Sequence, residues 1–240
     1  MSVFLELKKV KRTGLFPAFA GAGLLAAAIP VGNMAFREDV FTSMGGSSIK
    51  VLMDANWQMV AMLNVFMIVI GGCIVYHIEF SDNGMEKMET LPTNAWGIFF
   101  SKCMVLLSAL FLMAVLESTA FAFCLWHWFS PSEAVWIKLL QTMGLSLVLA
   151  IPVMLLMAAV SSACRNMWVS LGIGVIGIFI TVVIPASGFL SSLFPFSLPF
   201  RNLCSMEDGR AVEFLWGVLA ESVVLGTAEL AYLKIRRNVR

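Results

Sequence analysis

Apolar residues run through this 240-residue chain in long unbroken blocks, neither alternating as in a half-buried strand nor confined to the one-sided stripe of a soluble helix. Six blocks reach the roughly 20 residues that a helix rising 1.5 Å per residue needs to cross a hydrocarbon core of about 30 Å. They cover approximately Leu15 to Phe36, Ala55 to His77, Ile98 to Trp126, Ala134 to Ala163, Trp168 to Ala186 and Val212 to Ile235. The pattern predicts an all-α polytopic membrane protein with six transmembrane helices in a single domain over residues 1–240. Gly21, Gly23, Pro30, Gly71, Gly72, Pro152, Gly172, Gly174 and Gly177 interrupt the blocks. Such residues would count against soluble helices but are tolerated where lipid and neighbouring helices keep the backbone hydrogen-bonded. Basic residues precede the first block, yet no small-x-small cleavage pattern stands clear of it, so the first helix is expected to be retained.

Composition adds a reason for the blocks. The chain is 60% hydrophobic and 13% charged, where a soluble domain carries about 25% charge. The net charge of +1 excludes a nucleic-acid partner recognised by basic excess, and the five cysteines lack paired spacing and suggest no disulfide scaffold. The placement of charge is more informative than its sum. With both termini inside, Lys8, Lys9, Lys11, Arg12, Lys87, Lys102, Arg165, Lys234, Arg236, Arg237 and Arg240 face the cytoplasm; Arg37, Lys50, Lys138, Arg201 and Arg210 face outward. That is 11 against 5 of the 16 basic residues, the orientation that the positive-inside rule favours.

Three connecting stretches carry patterns of their own. Residues 1–14 put Val3, Phe4, Leu7 and Val10 on one helical face and most of the basic residues on the other, either as a helix lying in the headgroup layer or as a frayed basic tail. Between the second and third blocks, Asn83 and Glu86 read as a helix start. Met85, Met88 and Leu91 recur at helical spacing, and Pro92 ends the run. This two-turn cytoplasmic helix suits either docking of a soluble partner, through adaptable methionines flanked by Glu86, Lys87 and Glu89, or simple flotation at the interface. Between the fifth and sixth blocks, Ser187 to Met206 is apolar but broken by Pro195 and Pro199. It is expected to be a re-entrant or interfacial segment with Phe189, Phe194, Phe196 and Phe200 in the headgroup layer, or else a plain outer loop.

Ionisable residues inside spans require a partner or a role. Glu117 and Glu221 both lie roughly 14 Å below the outer surface at 1.5 Å per residue. If the third and sixth helices face one another the two carboxyls meet or line a wet, cation-attracting cavity; otherwise each is held by its own neighbours, Ser118 and Thr119 or Ser222. Glu229, near the last basic residues, is expected to snorkel and pair with Lys234 or Arg236. Catalytic and cofactor motifs are absent: His77 and His127 lie at opposite faces, and there is no Walker A sequence. The chain is therefore not expected to be an enzyme or to bind a cofactor or metal itself. A transporter subunit and a non-transporting membrane sensor both remain compatible with the residues alone.

The basic amino-terminal helix, the six spans, the inner loop Glu79-x4-Gly84-x6-Leu91-Pro92 closing near Lys102, and the Pro-broken segment before the last span together resemble the permease subunits of type-2 ABC exporters. Leu7-Lys8-Lys9-Val10-Lys11-Arg12, Asp54-Ala55-Asn56-Trp57-Gln58-Met59, Ser170-Leu171-Gly172-Ile173-Gly174 and Phe194-Pro195-Phe196-Ser197-Leu198-Pro199 further resemble the lantibiotic-immunity permeases of Gram-positive bacteria. The resemblance implies a bacterial cytoplasmic-membrane exporter with two permease subunits, identical or sister, and two cytosolic ABC ATPase subunits that bind ATP and Mg. It also implies that residues 80–91 form the coupling helix and that the turn carrying Arg165 is a second ATPase contact. The implied cargo is an amphipathic peptide, with another drug or a lipid-linked precursor as the alternative. Because lantibiotics are commonly cationic, Glu117 and Glu221 become candidate substrate-side residues.

Overall fold

The computed structural model describes residues 3–81, 95–129, 132–183, 194–204 and 210–239, and these are almost entirely helical. The chain opens with α1 (Val3–Val10), α2 (Leu15–Ser43), α3 (Ser48–Ser81) and α4 (Ala95–Trp128). It continues through α5 (Glu133–Leu149), α6 (Ile151–Ala163) and α7 (Met167–Val183), then a 3-10 turn (Leu198–Phe200) and α8 (Arg210–Val239). Five stretches are long and apolar enough to cross a membrane: α2, α3, α4, α5 with α6, and α8; α7, with 17 residues, is shorter.

The long α3 is the axial element. It touches α2, α4, α5, α6, α7 and the 3-10 turn, while α2 lies most extensively along α4. The main core follows from this arrangement, with Phe19, Val60, Val65, Leu106, Met113, Phe121, Val153 and Met157 all inside it. Close approach is achieved where side chains are missing. A Cβ on Gly71 would stand 2.9 Å from both Phe19 and Leu106, and one on Gly177 would stand 2.6 Å from the Phe196 ring. Leu25, Phe36, Trp168, Phe179, Val183, Trp216 and Val223 remain exposed, an apolar surface that a bilayer solvates. Only 11% of the apolar stretch of α8 is buried, making it the least enclosed long helix.

Several local features depart from the sequence pattern. Helical geometry lapses at Arg37, where the first apolar block ends, yet α2 continues beyond it to Ser43. The fourth block is two helices meeting at Ala150, two residues before Pro152, whose missing N–H breaks the run of intrahelical bonds. In α1 the expected lipid-facing residues divide: Val10 is buried and Leu7 packs on the core, while Phe4 is 73% exposed. The helix therefore docks on the bundle through much of its apolar face. Gly14, with φ +75°, makes the left-handed corner into α2 that a residue with a Cβ would adopt only under strain.

The Pro-broken segment is also drawn inward. Leu198 and Phe196 are buried, the indole Nε1 of Trp57 donates to the Pro199 carbonyl at 3.2 Å, and Asn202 donates to Asp54 at 3.4 Å. Phe196, expected among headgroups, lies over Gly177 because that glycine leaves room for its ring. Phe194 and Phe200 are half-buried, and Phe189 lies outside the described residues. Burial pushes the Cys204 thiol up, against the smaller opposing effect of a contact with Thr142 at 3.7 Å.

Candidate functional site: a buried charge cluster at one end of the bundle

At the α1 end of the bundle the ends of three helices converge on a set of charges. Glu6 occupies the first turn of α1 and Lys8 and Lys9 the last, the arrangement that the helix dipole favours. Lys102, on α4, and Glu6 are each 1% exposed, and Glu79, near the end of α3, is 4% exposed. The Lys102 ammonium lies 2.9 Å from Glu79 and 3.5 Å from Glu6, donates to the Val75 carbonyl at 2.9 Å, and sits 4.8 Å from the centre of the Tyr76 ring. Lys9 donates to Glu6 at 2.9 Å and lies 3.6 Å from Glu79. Two cations and two carboxylates thus form a neutral set, the condition under which buried charges persist.

The position of this cluster gives it its meaning. Glu79 and Lys102 flank the inner loop on its two sides, so their ion pair fixes the separation of the helix ends from which that loop departs. Through Glu6 and Lys9, α1 is fastened to the same point. Its carboxylates and ammonium groups are engaged with one another, so the cluster can set spacing and transmit displacement. Sequence reasoning named Glu79 and Lys102 as landmarks of the loop, counted Lys102 and Lys9 among the cytoplasmic basic residues with Lys9 on the basic face of the first helix, and did not single out Glu6 or join the four. The available signal was opposite charges at the ends of two consecutive apolar blocks, one on each side of a short loop.

Met85, Glu86, Lys87, Met88, Glu89 and Leu91, expected to couple to the ATPase, lie outside the described residues. Arg165 is exposed in the turn between α6 and α7. Asn166 beside it caps α7 by accepting the backbone N–H of Trp168 at 3.0 Å. This turn shares the charge cluster's end of the bundle, since Ser161, just before it, is 3.9 Å from Cys73 in the later part of α3.

The two intramembrane acids are not brought together. Glu117 is 1% exposed and accepts a bond from Asn64 of α3 at 3.1 Å; no contact joins it to Glu221. Ser118 and Thr119, its expected partners, donate instead to the carbonyls of Val115 and Leu116 in their own helix. Glu221 is half-buried on α8, which packs against α6 and α5, and its Oε2 has no hydrogen-bond partner among the described residues. Asn64, missed in the sequence, stands eight residues after Asn56 on α3, and Asn56 accepts a bond from Asn33 of α2 at 2.6 Å. Glu229 does not snorkel: it is 4% exposed and accepts a 2.6 Å bond from Ser162, because it lies on the face of α8 that meets α6.

Among the described residues no group of histidine, cysteine and acidic side chains could hold a metal ion. No curated protein and no solved structure matches the chain. A family model described as "ABC-2 family transporter protein" does match, over residues 2–181 of the 240. The matched region includes the charge cluster, the inner loop and the helices from α1 through most of α7. The described residues form an all-helical bundle with five stretches long and apolar enough to cross a membrane, and the chain belongs to the ABC-2 transporter family as a membrane subunit.

Proposed function

We propose that this chain is the permease of a bacterial ATP-driven exporter that expels an amphipathic peptide of the lantibiotic class and so protects the cell. Six crossings leave both termini in the cytoplasm, with the inner loop facing the ATPase. Two such permeases, copies or sisters, pair with two ATP-binding subunits, which hold ATP and Mg. Met85, Glu86, Lys87, Met88, Glu89 and Leu91 form the coupling helix, and Arg165 is a second contact. Closure of the ATPase dimer pushes on this helix and rocks the permeases between states that differ in affinity for the peptide.

The observation that carries the reading is the buried Lys102–Glu79–Glu6 cluster, which makes the flanks of the inner loop a rigid lever. A loop that only floated at the interface would have no need of one. Glu117 and Glu221 are the substrate-side acids of this proposal; Glu221, on the least enclosed helix, is open to cargo or a second permease.

The test is co-expression with a candidate ABC ATPase from the same genome in a sensitive host challenged with cationic lantibiotics. Survival at several times the control inhibitory concentration is expected. Met88→Asp should abolish both protection and co-purification of the ATPase. No protection from any peptide would defeat the substrate reading, and intact co-purification of Met88→Asp would defeat docking through this loop.

A further inference from the structure

We propose that α1 carries a binding site for a phospholipid with an anionic headgroup, formed by Lys8, Lys9 and Arg12 around Leu5. The buried carboxylates of Glu6 and Glu79 are engaged by Lys102 and Lys9, and no ion pair among the described residues joins Lys8, Lys11 or Arg12 to an acid. Leu5, Lys8, Lys9 and Arg12 line an open concavity of about 390 Å³ on the outside of the helix. Leu5 is 50% exposed there.

The chemistry of this hollow selects its ligand. Its walls are the leucine side chain and the aliphatic stems of the three basic residues, and Lys8 and Arg12 bring to its rim the charge that, unlike that of Lys9, is not taken up by Glu6 and Glu79. A free phosphate would use only the rim. A molecule joining a phosphate to hydrocarbon uses both, and at this end of the bundle, where α3 ends and α4 begins, the bilayer presents such molecules.

The hollow is also preformed. The Val10 carbonyl accepts both the N–H of Thr13 at 3.0 Å and its hydroxyl at 2.7 Å, and the Lys11 N–H reaches Leu7 at 3.0 Å. Arg12 is thereby held in a bonded turn leading to the Gly14 corner rather than in a frayed tail. Lys9 belongs to both the hollow and the buried cluster, so an occupant would touch the cluster that grips the coupling-loop flanks. The site does not depend on the identity of the exported cargo.

The experiment uses the full chain in detergent, with bound phosphatidylglycerol and phosphatidylcholine counted by native mass spectrometry across a lipid titration. Retention of phosphatidylglycerol over phosphatidylcholine is expected. The Lys8→Gln/Arg12→Gln double variant should weaken it by roughly 25-fold, about fivefold per cation, from the usual worth of a basic residue beside an anionic membrane surface. Lys11→Gln, which removes a cation outside the hollow, should change it less than twofold, and Leu5→Ser should lower it several-fold by removing an apolar wall. Because all four positions are surface positions, unchanged melting temperatures are expected and distinguish lost binding from lost folding. Equal losses for Lys11→Gln and for Lys8→Gln alone would reduce the effect to diffuse charge and overturn the site. Displacement of the lipid by millimolar inorganic phosphate, or unchanged phosphatidylglycerol retention in the Lys8→Gln/Arg12→Gln variant, would overturn it equally.

Discussion

The residue whose loss should matter most to stability is Lys102. It is a cation enclosed at the start of a membrane helix, and two carboxylates, a backbone carbonyl and a tyrosine ring are arranged around it. Removing it leaves Glu6 and Glu79 buried without their principal counter-charge, a change that costs about 3–5 kcal/mol in other proteins. Lys102→Ala is therefore expected to lower the melting temperature in detergent sharply, and adding Glu79→Gln should restore part of the loss by removing one stranded charge. A double variant no more stable than Lys102→Ala alone would mean that the pair does not act as a unit. In the sequence Lys102 and Glu79 were visible as boundary residues, because charge is scarce and collects where apolar blocks end. Their partnership with Glu6 was not visible, because it depends on α1 folding back across the ends of α3 and α4, and no local pattern encodes that approach. Asn64 was hidden for a related reason: a single amide in an apolar run carries no periodic signal, and its importance comes from Glu117 on another helix.

At the scale of elements, the helices were legible because lipid demands long apolar blocks, whereas their packing faces were not. A membrane helix is apolar on all sides, so no polar stripe marks the side turned outward. Glycines partly fill that gap. Gly174 and Gly177 do pack closely, against Val69 and the Phe196 ring, while a side chain on Gly172 would meet open space. The Pro-broken segment illustrates the same limit. Its prolines correctly excluded a span, yet its docking through the Trp57 indole and Phe196 required the surrounding bundle. A methyl group at Gly177 would press into the Phe196 ring, and overpacking of this kind usually costs about 1–3 kcal/mol. Gly177→Ala is accordingly expected to loosen residues 194–204, detectable as faster proteolysis there than in the parent, with the helical circular dichroism unchanged. Gly172→Ala, with no neighbour to displace, serves as the paired control and should leave proteolysis at the parental rate.

For the molecule as a whole, the contacts at the two ends of α3 bear on the number of crossings. Near its end, Cys73 touches Ser161, which is followed after the Arg165 turn by α7. Near its start, Asp54 and Trp57 are bonded to Asn202 and Pro199, which lie beyond α7 in sequence. Trp57 and Cys73 are 16 residues apart on one helix, about 24 Å along its axis at 1.5 Å per residue. The 17 residues of α7 cover about 25 Å at the same rise. Its length thus matches the separation of the levels it joins, despite being short for a membrane helix. Basic residues gather at the α1 end, where Lys8, Lys9, Arg12, Lys102 and Arg165 lie, and this is the end that the proposed orientation places in the cytoplasm. If α7 crosses, reporters placed after Asn166 and at the carboxyl terminus will show fluorescent-protein signal and no alkaline-phosphatase activity, and a reporter after Asn202 will show the reverse. If α7 stays on one side, Asn166 and Asn202 will report the same compartment and the carboxyl terminus will fall outside, removing the even number of crossings on which the placement of both termini beside the ATPase depends.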